Sequence, residues 1–157
     1  MTQACAPAAA RHDDEPRLQV RSRFANVDVD ARDLITFPDG VPGYEGRRQF
    51  VLLEIPDLAP LRVLHAVDAP EPCFLVLDPT SVLAGFRCEI TAADRLRLEA
   101  TDESVLLWLA IVTVSEGGEA SANLRAPIVV NPERMIGRQV MPNGCVYPLQ
   151  HALAGGA

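Results

Sequence analysis

Three carboxylates surround one apolar segment, residues 73–77, and offer the most direct route to acid–base chemistry. Asp68 and Glu71 precede the segment, and Asp78 follows it. Two carboxylates can divide the roles of acid and base, as they do in glycosidases. All three stand close to a proline, however, where aspartate commonly accepts hydrogen bonds from the backbone of a turn. We therefore interpret them as turn residues and keep a small carboxylate-dependent hydrolase as an alternative.

The histidines and cysteines do not form a metal-binding pattern. His65 alternates with Val63 and Val67 on a predicted strand, so we expect a core histidine whose ring is hydrogen-bonded. No two His or Cys residues have the spacing of zinc ligands, and no C-x-x-C pair occurs. We predict no metal and no cofactor, and we interpret three cysteines as reduced, small hydrophobic residues of the core; they are Cys73, Cys88 and Cys145.

The composition excludes several reaction classes. The chain contains no lysine, so it can form neither a Schiff base nor a P-loop phosphate site. It has no G-x-S-x-G nucleophile elbow, and its glycines at 40, 43 and 46 lack the spacing of a dinucleotide-binding loop. The net charge of −7 argues against a direct nucleic-acid partner, because phosphate binding needs clustered cations. These exclusions favour a binding protein over an enzyme.

Residues 37–45 (FPDGVPGYE) form a loop whose composition dictates a defined shape. Its two prolines fix φ and its glycines permit positive φ, so the loop can present side chains to a partner at little cost in ordering entropy. A purely structural turn is the alternative for the glycines and prolines. The candidate partner-binding residues of this loop are Phe37, Pro42, Tyr44 and Glu45.

A second candidate surface lies in residues 122–131 (ANLRAPIVVN). Pro127 interrupts a strand-like run and predicts a strand edge or a bulge. An exposed edge can accept an added strand from a partner, whereas an asparagine that ties down a turn is the alternative. The candidate residues here are Asn123, Leu124, Pro127 and Asn131.

The elements that must position these residues are mostly short strands. Residues 17–30 have the alternation of a hairpin that turns at Ala25 and Asn26. Further apolar runs, each bounded by turn residues, predict more strands; they are 34–37, 50–55, 61–67, 73–77, 86–90, 121–131 and 135–141. Regularly spaced short strands are typical of a sandwich or barrel.

Two segments depart from that pattern. Thr91 and Asp94 have the spacing of a capping box and predict one short helix over residues 92–98. Residues 105–114 are almost continuously apolar and predict a central strand buried on both faces. We therefore predict an all-β, mainly antiparallel fold: a small closed or partly open β-barrel with one short helix, spanning 17–153 after a disordered tail at 1–16.

The apolar runs and the N-terminal residues also bear on location. The longest apolar run is too short to span a bilayer as a helix, and the first residues lack the basic region and apolar stretch of a secretory signal. We expect a cytoplasmic protein with no membrane partner.

The ordered motifs together resemble the FliW family of flagellar assembly factors. The similarity rests on the two segments above, on QFVLLEI, VDAPEPCFLVLDP and LAIVTV, and on GRQVM at 137–141, and it covers residues 18–153. The chain departs from the family pattern at Ala25, where a glycine is expected, and at Gln150, where an arginine often precedes the histidine.

The resemblance implies a function without catalysis. A family member is expected to bind the translational repressor CsrA, preventing it from silencing flagellin mRNA, and to bind flagellin itself. When flagellin accumulates it takes the factor, the repressor is released and flagellin translation stops. We expect the free protein to be monomeric. The alternative within this setting is a flagellin export chaperone with no link to CsrA.

Overall fold

The computed structural model describes residues 17–21, 26–67, 72–142 and 145–153. Within these ranges the chain forms ten strands and one α-helix. The strands are β1 Arg17–Arg21, β2 Asn26–Asp30, β3 Ile35–Thr36, β4 Gln49–Glu54, β5 Arg62–Ala66, β6 Cys73–Leu77, β7 Leu107–Val114, β8 Ala120–Asn131, β9 Ile136–Gln139 and β10 His151–Ala152, and the helix is α1 Ala92–Arg97.

The main sheet closes on itself as a barrel of seven strands. Strands β3 to β8 each pair antiparallel with the neighbour in the order β3-β4-β5-β6-β7-β8, and β9 closes the ring by pairing with both β8 and β3. The β3–β9 pair is parallel, joined at Thr36 and Ile136. Closure satisfies the backbone groups that an open sheet would leave at its edges. The predicted all-β, mainly antiparallel barrel with one short helix is confirmed.

The barrel interior is filled by alternate side chains of each strand. Phe50, Leu64, Val76 and Leu109 point inward and pack in one cluster with Ile128. Because successive side chains of a strand point to opposite faces, the residues between them point outward. In β5 and β8, consecutive residues are buried, so the outward-facing side chains of these strands are buried as well. Further layers must therefore cover the outside of the barrel.

The hairpin and the helix supply these outer layers. Strands β1 and β2 pair antiparallel, as predicted, and place Val20 and Val29 against Val51 and Val63 on the outer face of the barrel. On another side, Leu98 at the end of α1 packs with side chains of β8 and the segment after β9. The predicted turn was placed at Ala25 and Asn26, and residue 25 lies outside the described residues. The predicted tail, residues 1–16, also lies outside them.

The short helix begins where its cap was predicted. The Thr91 side-chain oxygen accepts a hydrogen bond from the Asp94 amide at 3.1 Å, which satisfies one of the free amides of the first turn. The Asp94 carboxylate does not complete the capping box by bonding back to the Thr91 amide; it accepts instead from Arg138. None of the helices in the described ranges is long and apolar enough to cross a membrane.

Two strand predictions need correction. Residues 86–90 form no strand, because the Arg87 amide donates to the Tyr147 hydroxyl at 3.0 Å instead of to a neighbouring strand. The predicted strand 105–114 begins only at Leu107, and Val105 is 79 % exposed while Val114 is 57 % exposed. Its burial on both faces holds only in the middle. The two-residue strand β10 was not predicted, since it is too short to carry an alternation.

Candidate functional site

The shaped loop, residues 37–45, consists of two consecutive turns. In the first turn the Gly40 amide donates to the Phe37 carbonyl oxygen at 2.8 Å, with Pro38 in the second position, where its fixed φ is favoured. Gly40 has φ +67° and passes so close to Glu45 that an added Cβ would lie 2.6 Å from the Glu45 Cα. Only glycine fits here without strain, as the sequence predicted.

The second turn immediately follows. The Tyr44 amide donates to the Val41 carbonyl oxygen at 2.7 Å, Pro42 is in the second position, and Gly43 in the third position has φ +91°. Proline followed by a glycine with positive φ is the arrangement of a type II turn. The two turns fix the backbone, and with it the direction in which the loop presents its side chains.

The loop divides its predicted partner-binding residues between core and surface. Phe37 is completely buried and contacts Phe50 with ring centroids 4.9 Å apart. Pro42, Tyr44 and Glu45 are exposed. The Tyr44 ring is 42 % exposed and rests edge-on against Phe74, with centroids 5.9 Å apart. The structure therefore presents Tyr44 on the surface while supporting one side of its ring.

A group of ion pairs, which we call the Arg138 network, attaches the shaped loop to its neighbours. Arg138 on β9 donates to the carboxylates of Asp39 and Asp94, and Arg97 on α1 donates to Asp39 at 3.2 Å. Arg138 and Asp94 are mostly buried, with side chains 27 % and 12 % exposed, so this pair is shielded from the solvent screening that weakens surface pairs. The sequence did not predict this network, because its only signal was a single arginine within a short strand.

Glu45 provides a test of the loop geometry in solution. Its carboxylate accepts a hydrogen bond from the Gly43 amide at 3.0 Å, and this bond lowers the pKa of Glu45. Because the folded pKa lies below the unfolded value, the bond stabilises the loop above the unfolded pKa and is lost as the pH falls through the folded pKa. We expect the NMR titration of the Glu45 carboxylate to have its midpoint below the ordinary pKa of a glutamate side chain.

The control for this titration is Glu45→Gln. In that variant the Gly43 amide resonance should no longer follow a transition at acid pH, because the ionising group has been removed. A Glu45 midpoint at or above its ordinary value would show that the Gly43–Glu45 bond is absent in solution.

The second candidate surface contains a bulge, as Pro127 predicted. Leu109 pairs with Ile128, whereas Ile111 pairs with Asn123, so four residues of β8 oppose one of β7. The Asn123 carboxamide oxygen accepts from the amides of Arg125 and Ala126 at 3.1 and 3.0 Å. Asn123 therefore ties down the bulge, which is the structural alternative considered for it above.

The remaining residues of this surface lie inside the protein. Leu124, Pro127 and Asn131 are buried. The Asn131 carboxamide donates to the carbonyl oxygens of Leu98 and Glu99 at 2.9 and 3.2 Å, and Glu99 is held at φ +52°. Asn131 thus satisfies the carbonyl oxygens of the two residues that follow α1, where the last turn of a helix leaves acceptors without partners.

The strand edge near Asn123 is occupied by the chain itself. Strand β10 pairs with β8 at Ser121 and Ala122, and the Leu124 amide donates to the Pro148 carbonyl oxygen at 3.1 Å. The C-terminal segment, residues 145–149, thus covers the same edge of β8 next to β10. Gln150, where the sequence departs from the family pattern, is exposed beside this edge.

The residues considered for catalysis or metal binding are placed as follows. Asp78 is exposed and accepts hydrogen bonds from the amide and hydroxyl of Thr80 at 2.9 and 2.7 Å, so it caps a turn; Asp68 and Glu71 lie outside the described residues.

His65 is 1 % exposed, and its Nδ1 lies 2.6 Å from the Ala66 carbonyl oxygen. The prediction of a core histidine with a hydrogen bond is thus confirmed at Nδ1, whereas Nε2 has no hydrogen-bond partner among the described residues.

The cysteines are less buried than predicted, although Cys73 packs against a cluster of the core. Cys73, Cys88 and Cys145 are half-buried and are not among the fully buried residues of the core. Cys88 and Cys145 lie next to each other, with their Sγ atoms 3.6 Å apart. Across the part of the chain that the structure describes, no three His, Cys, Asp or Glu side chains come together as a metal site.

Comparison with known proteins decides the family. The model of the FliW protein family matches residues 19–153. The chain belongs to the FliW family. Its sequence is 37 % identical to the flagellar assembly factor FliW of Geotalea uraniireducens over 131 residues, covering 83 % of this chain and 80 % of that protein. It is 33 % identical to the FliW of Moorella thermoacetica over 134 residues, covering 84 % and 85 %.

The fold agrees with a solved FliW structure as well. A crystal structure of the flagellar assembly factor FliW superposes with a TM-score of 0.79 at 27 % identity, covering 85 % of this chain and 95 % of that one. The family-model match over residues 19–153 includes both the shaped loop and strand β8. The resemblance identified from the sequence motifs is confirmed.

Proposed function

We propose that the chain is a cytoplasmic flagellar assembly factor that works by binding proteins. In this proposal it holds a CsrA-type translational repressor and also binds flagellin, so that flagellin accumulation releases the repressor and stops further flagellin synthesis. The observation that carries the proposal is the FliW family match over residues 19–153, together with relatives that are named flagellar assembly factors.

The mechanism requires two partners and no chemical step. If the complexes with flagellin and repressor exclude each other, each partner weakens the binding of the other by the same factor, because coupling free energies are reciprocal. Flagellin then shifts the population of the factor away from the repressor by mass action. The free factor is monomeric in this scheme.

The shaped loop suits one of these contacts. Its exposed face carries Pro42, Tyr44 and Glu45, and tyrosine is common among residues that dominate binding energy. The backbone turns and the support from Phe74 hold Tyr44 in place before a partner arrives, which reduces the entropy lost on binding. The net charge of −7 also favours encounter with a basic partner surface.

Titration calorimetry tests the proposal. The full chain is titrated with a purified CsrA-type repressor and, separately, with flagellin, and each complex is then challenged with the other partner. We expect binding to both and displacement of the repressor by flagellin. Binding to flagellin without the repressor would replace the proposal by the export-chaperone alternative. Binding to neither at micromolar concentrations would overturn it.

Tyr44→Ala is the sharpest variant for the loop. We expect it to weaken binding to at least one partner by about tenfold, a typical loss for an aromatic anchor, while the thermal midpoint changes little because the ring is partly exposed. Tyr44→Phe keeps the ring and its contact with Phe74 and should retain most of the affinity. Leu96→Ala, at a residue 78 % exposed on α1, serves as the matched surface control. Unchanged affinity of Tyr44→Ala for both partners would remove Tyr44 from the binding surface.

A further inference from the structure

Two cysteines that are distant in the sequence meet in the fold. Cys88 and Cys145 are separated by 57 residues, yet their Sγ atoms lie 3.6 Å apart. Both side chains are half-buried, and both residues lie outside helices and strands. A disulfide has an S–S distance of about 2.05 Å, so closing it requires the sulfurs to approach by about 1.5 Å. Residues without a fixed ladder of backbone bonds can accommodate such a movement.

Neighbouring contacts already hold the two segments together. The Phe86 and Tyr147 rings pack with centroids 4.8 Å apart, and the Arg87 amide donates to the Tyr147 hydroxyl at 3.0 Å. The Arg125 side chain donates to the Tyr147 carbonyl oxygen at 2.9 Å. These contacts hold the residues just before Cys88, and Arg125 of β8, against Tyr147, two residues after Cys145, so the fold itself brings the two thiols together.

We propose that Cys88 and Cys145 form a redox-active pair whose oxidation links the C-terminal segment, residues 145–149, covalently to the segment 86–90 between β6 and α1. Disulfides that form in reducing compartments are usually transient and redox-sensing. Access exists on one side, because Cys88 lines an open cavity of about 330 Å³ together with Arg87 and Trp108. A small oxidant such as a peroxide can enter a cavity of this size.

The reaction balances with hydrogen peroxide as the oxidant. One of the two cysteines attacks a peroxide oxygen as its thiolate, the O–O bond breaks, and its sulfur becomes a sulfenic acid while the leaving hydroxide takes a proton to give water. The sulfur of the other cysteine then attacks the sulfenic sulfur, an S–S bond forms, and the departing hydroxide takes the thiol proton as a second water. Two thiols and one peroxide give one disulfide and two waters, and exchange with a dithiol reverses the step.

Peptide mapping after peroxide treatment tests the pairing directly. The full chain is oxidised, the remaining thiols are alkylated, and the protein is cleaved with trypsin, which cuts after arginine and so releases residues 88–95 and 139–157 as separate peptides. We expect these two peptides joined by a disulfide, separating again after treatment with dithiothreitol. The linked pair should be absent from Cys88→Ser and present in Cys73→Ser, since Cys73 lies in a different cluster.

Two physical readouts report the link. The Leu124 amide donates to the Pro148 carbonyl oxygen, so its hydrogen exchange reports opening of the C-terminal segment and should slow by about tenfold on oxidation. The cross-link should also raise the thermal midpoint by about 10 °C, as expected for a loop of this length in a small domain. Failure to recover the linked peptides would overturn the proposal. The linked peptides could also be recovered while oxidation of the Cys73→Ser protein changes neither the Leu124 exchange rate nor the thermal midpoint. That result would show that the disulfide does not restrain the C-terminal segment.

Discussion

Replacing Gly40 by alanine should lower the free energy of unfolding by about 3 kcal/mol. Two costs add at this position. An alanine at φ +67° occupies the left-handed region, which costs about 1–2 kcal/mol. Its Cβ would also lie 2.6 to 2.9 Å from three backbone atoms of Glu45, and relieving such overlap typically costs about 1–3 kcal/mol. Backbone atoms cannot swing away as the end of a flexible side chain can.

Gly43→Ala is the matched control. Gly43 has φ +91°, but an added Cβ there meets nothing within 4 Å, so only the backbone cost of about 1–2 kcal/mol remains. Urea denaturation of both variants, with the slopes compared to check that the folded states are equally compact, measures the difference. Equal losses for the two variants would show that the shaped loop does not bring Gly40 against Glu45 in solution.

The comparison matters for function because it separates loop shape from loop surface. Gly40 is buried, whereas Tyr44 is exposed, five residues before β4 begins at Gln49. A Gly40→Ala protein that remains folded and binds partners weakly would indicate that the direction of Tyr44 carries the affinity. Binding that survives the change would indicate that the loop adapts to its partner.

Local chemistry accounts for the parts of the fold that the sequence predicted. Strand β4 occupies 49–54 where apolar residues at 50–55 predicted a strand, and α1 begins at the predicted Thr91 cap. The alternation of apolar and polar residues indicates which side chains are buried, however, and does not indicate which groups the backbone hydrogen-bonds to. Residues 86–90 alternate because Phe86 and Ile90 pack into clusters, while the Arg87 amide bonds to a side chain.

Long-range pairing accounts for what the sequence could not predict. Arg138 donates to Asp39 across 99 residues and to Asp94 across 44, and Cys88 meets Cys145 across 57. No spacing rule connects such positions, since their meeting depends on how β9 closes the ring and how the C-terminal segment returns to β8. The occupied edge beside Asn123 has the same origin, because β10 carries too few residues to be recognised.

Burial then divides the candidate residues into two kinds. Proline, glycine and asparagine patterns correctly indicated turns at 37–45 and a bulge before Pro127, but the same patterns could not tell which side chains face solvent. Phe37, Leu124 and Asn131 are buried, so they stabilise the fold beneath the two candidate surfaces. The exposed residues of the shaped loop are left as the ones that can touch a partner directly.

Phe37→Ala should cause the largest loss of stability, about 4 kcal/mol, because truncating a buried phenylalanine removes apolar contacts and leaves a cavity. The Phe37 ring is fully buried against Phe50, with centroids 4.9 Å apart. It also lies over Gly137 of β9, where an added Cβ would come within 2.5 Å of the ring. The absence of a side chain at Gly137 makes room for the ring, so this contact joins the shaped loop to the strand that closes the barrel.

The experiment that separates core from contact residues crosses Phe37→Ala with Tyr44→Ala. Urea denaturation should show a large loss for Phe37→Ala and a loss below about 1 kcal/mol for Tyr44→Ala, since an exposed site typically tolerates truncation. Binding is then measured at low temperature, where most of each variant is folded. If Phe37 serves only as a core residue, folded Phe37→Leu protein should bind the partners with the same affinity as the unsubstituted chain, because leucine keeps most of the apolar volume. Lost affinity in a well-folded Phe37→Leu protein would instead mean that the ring itself sets the position of Tyr44, because no partner can reach a side chain enclosed between β4 and β9.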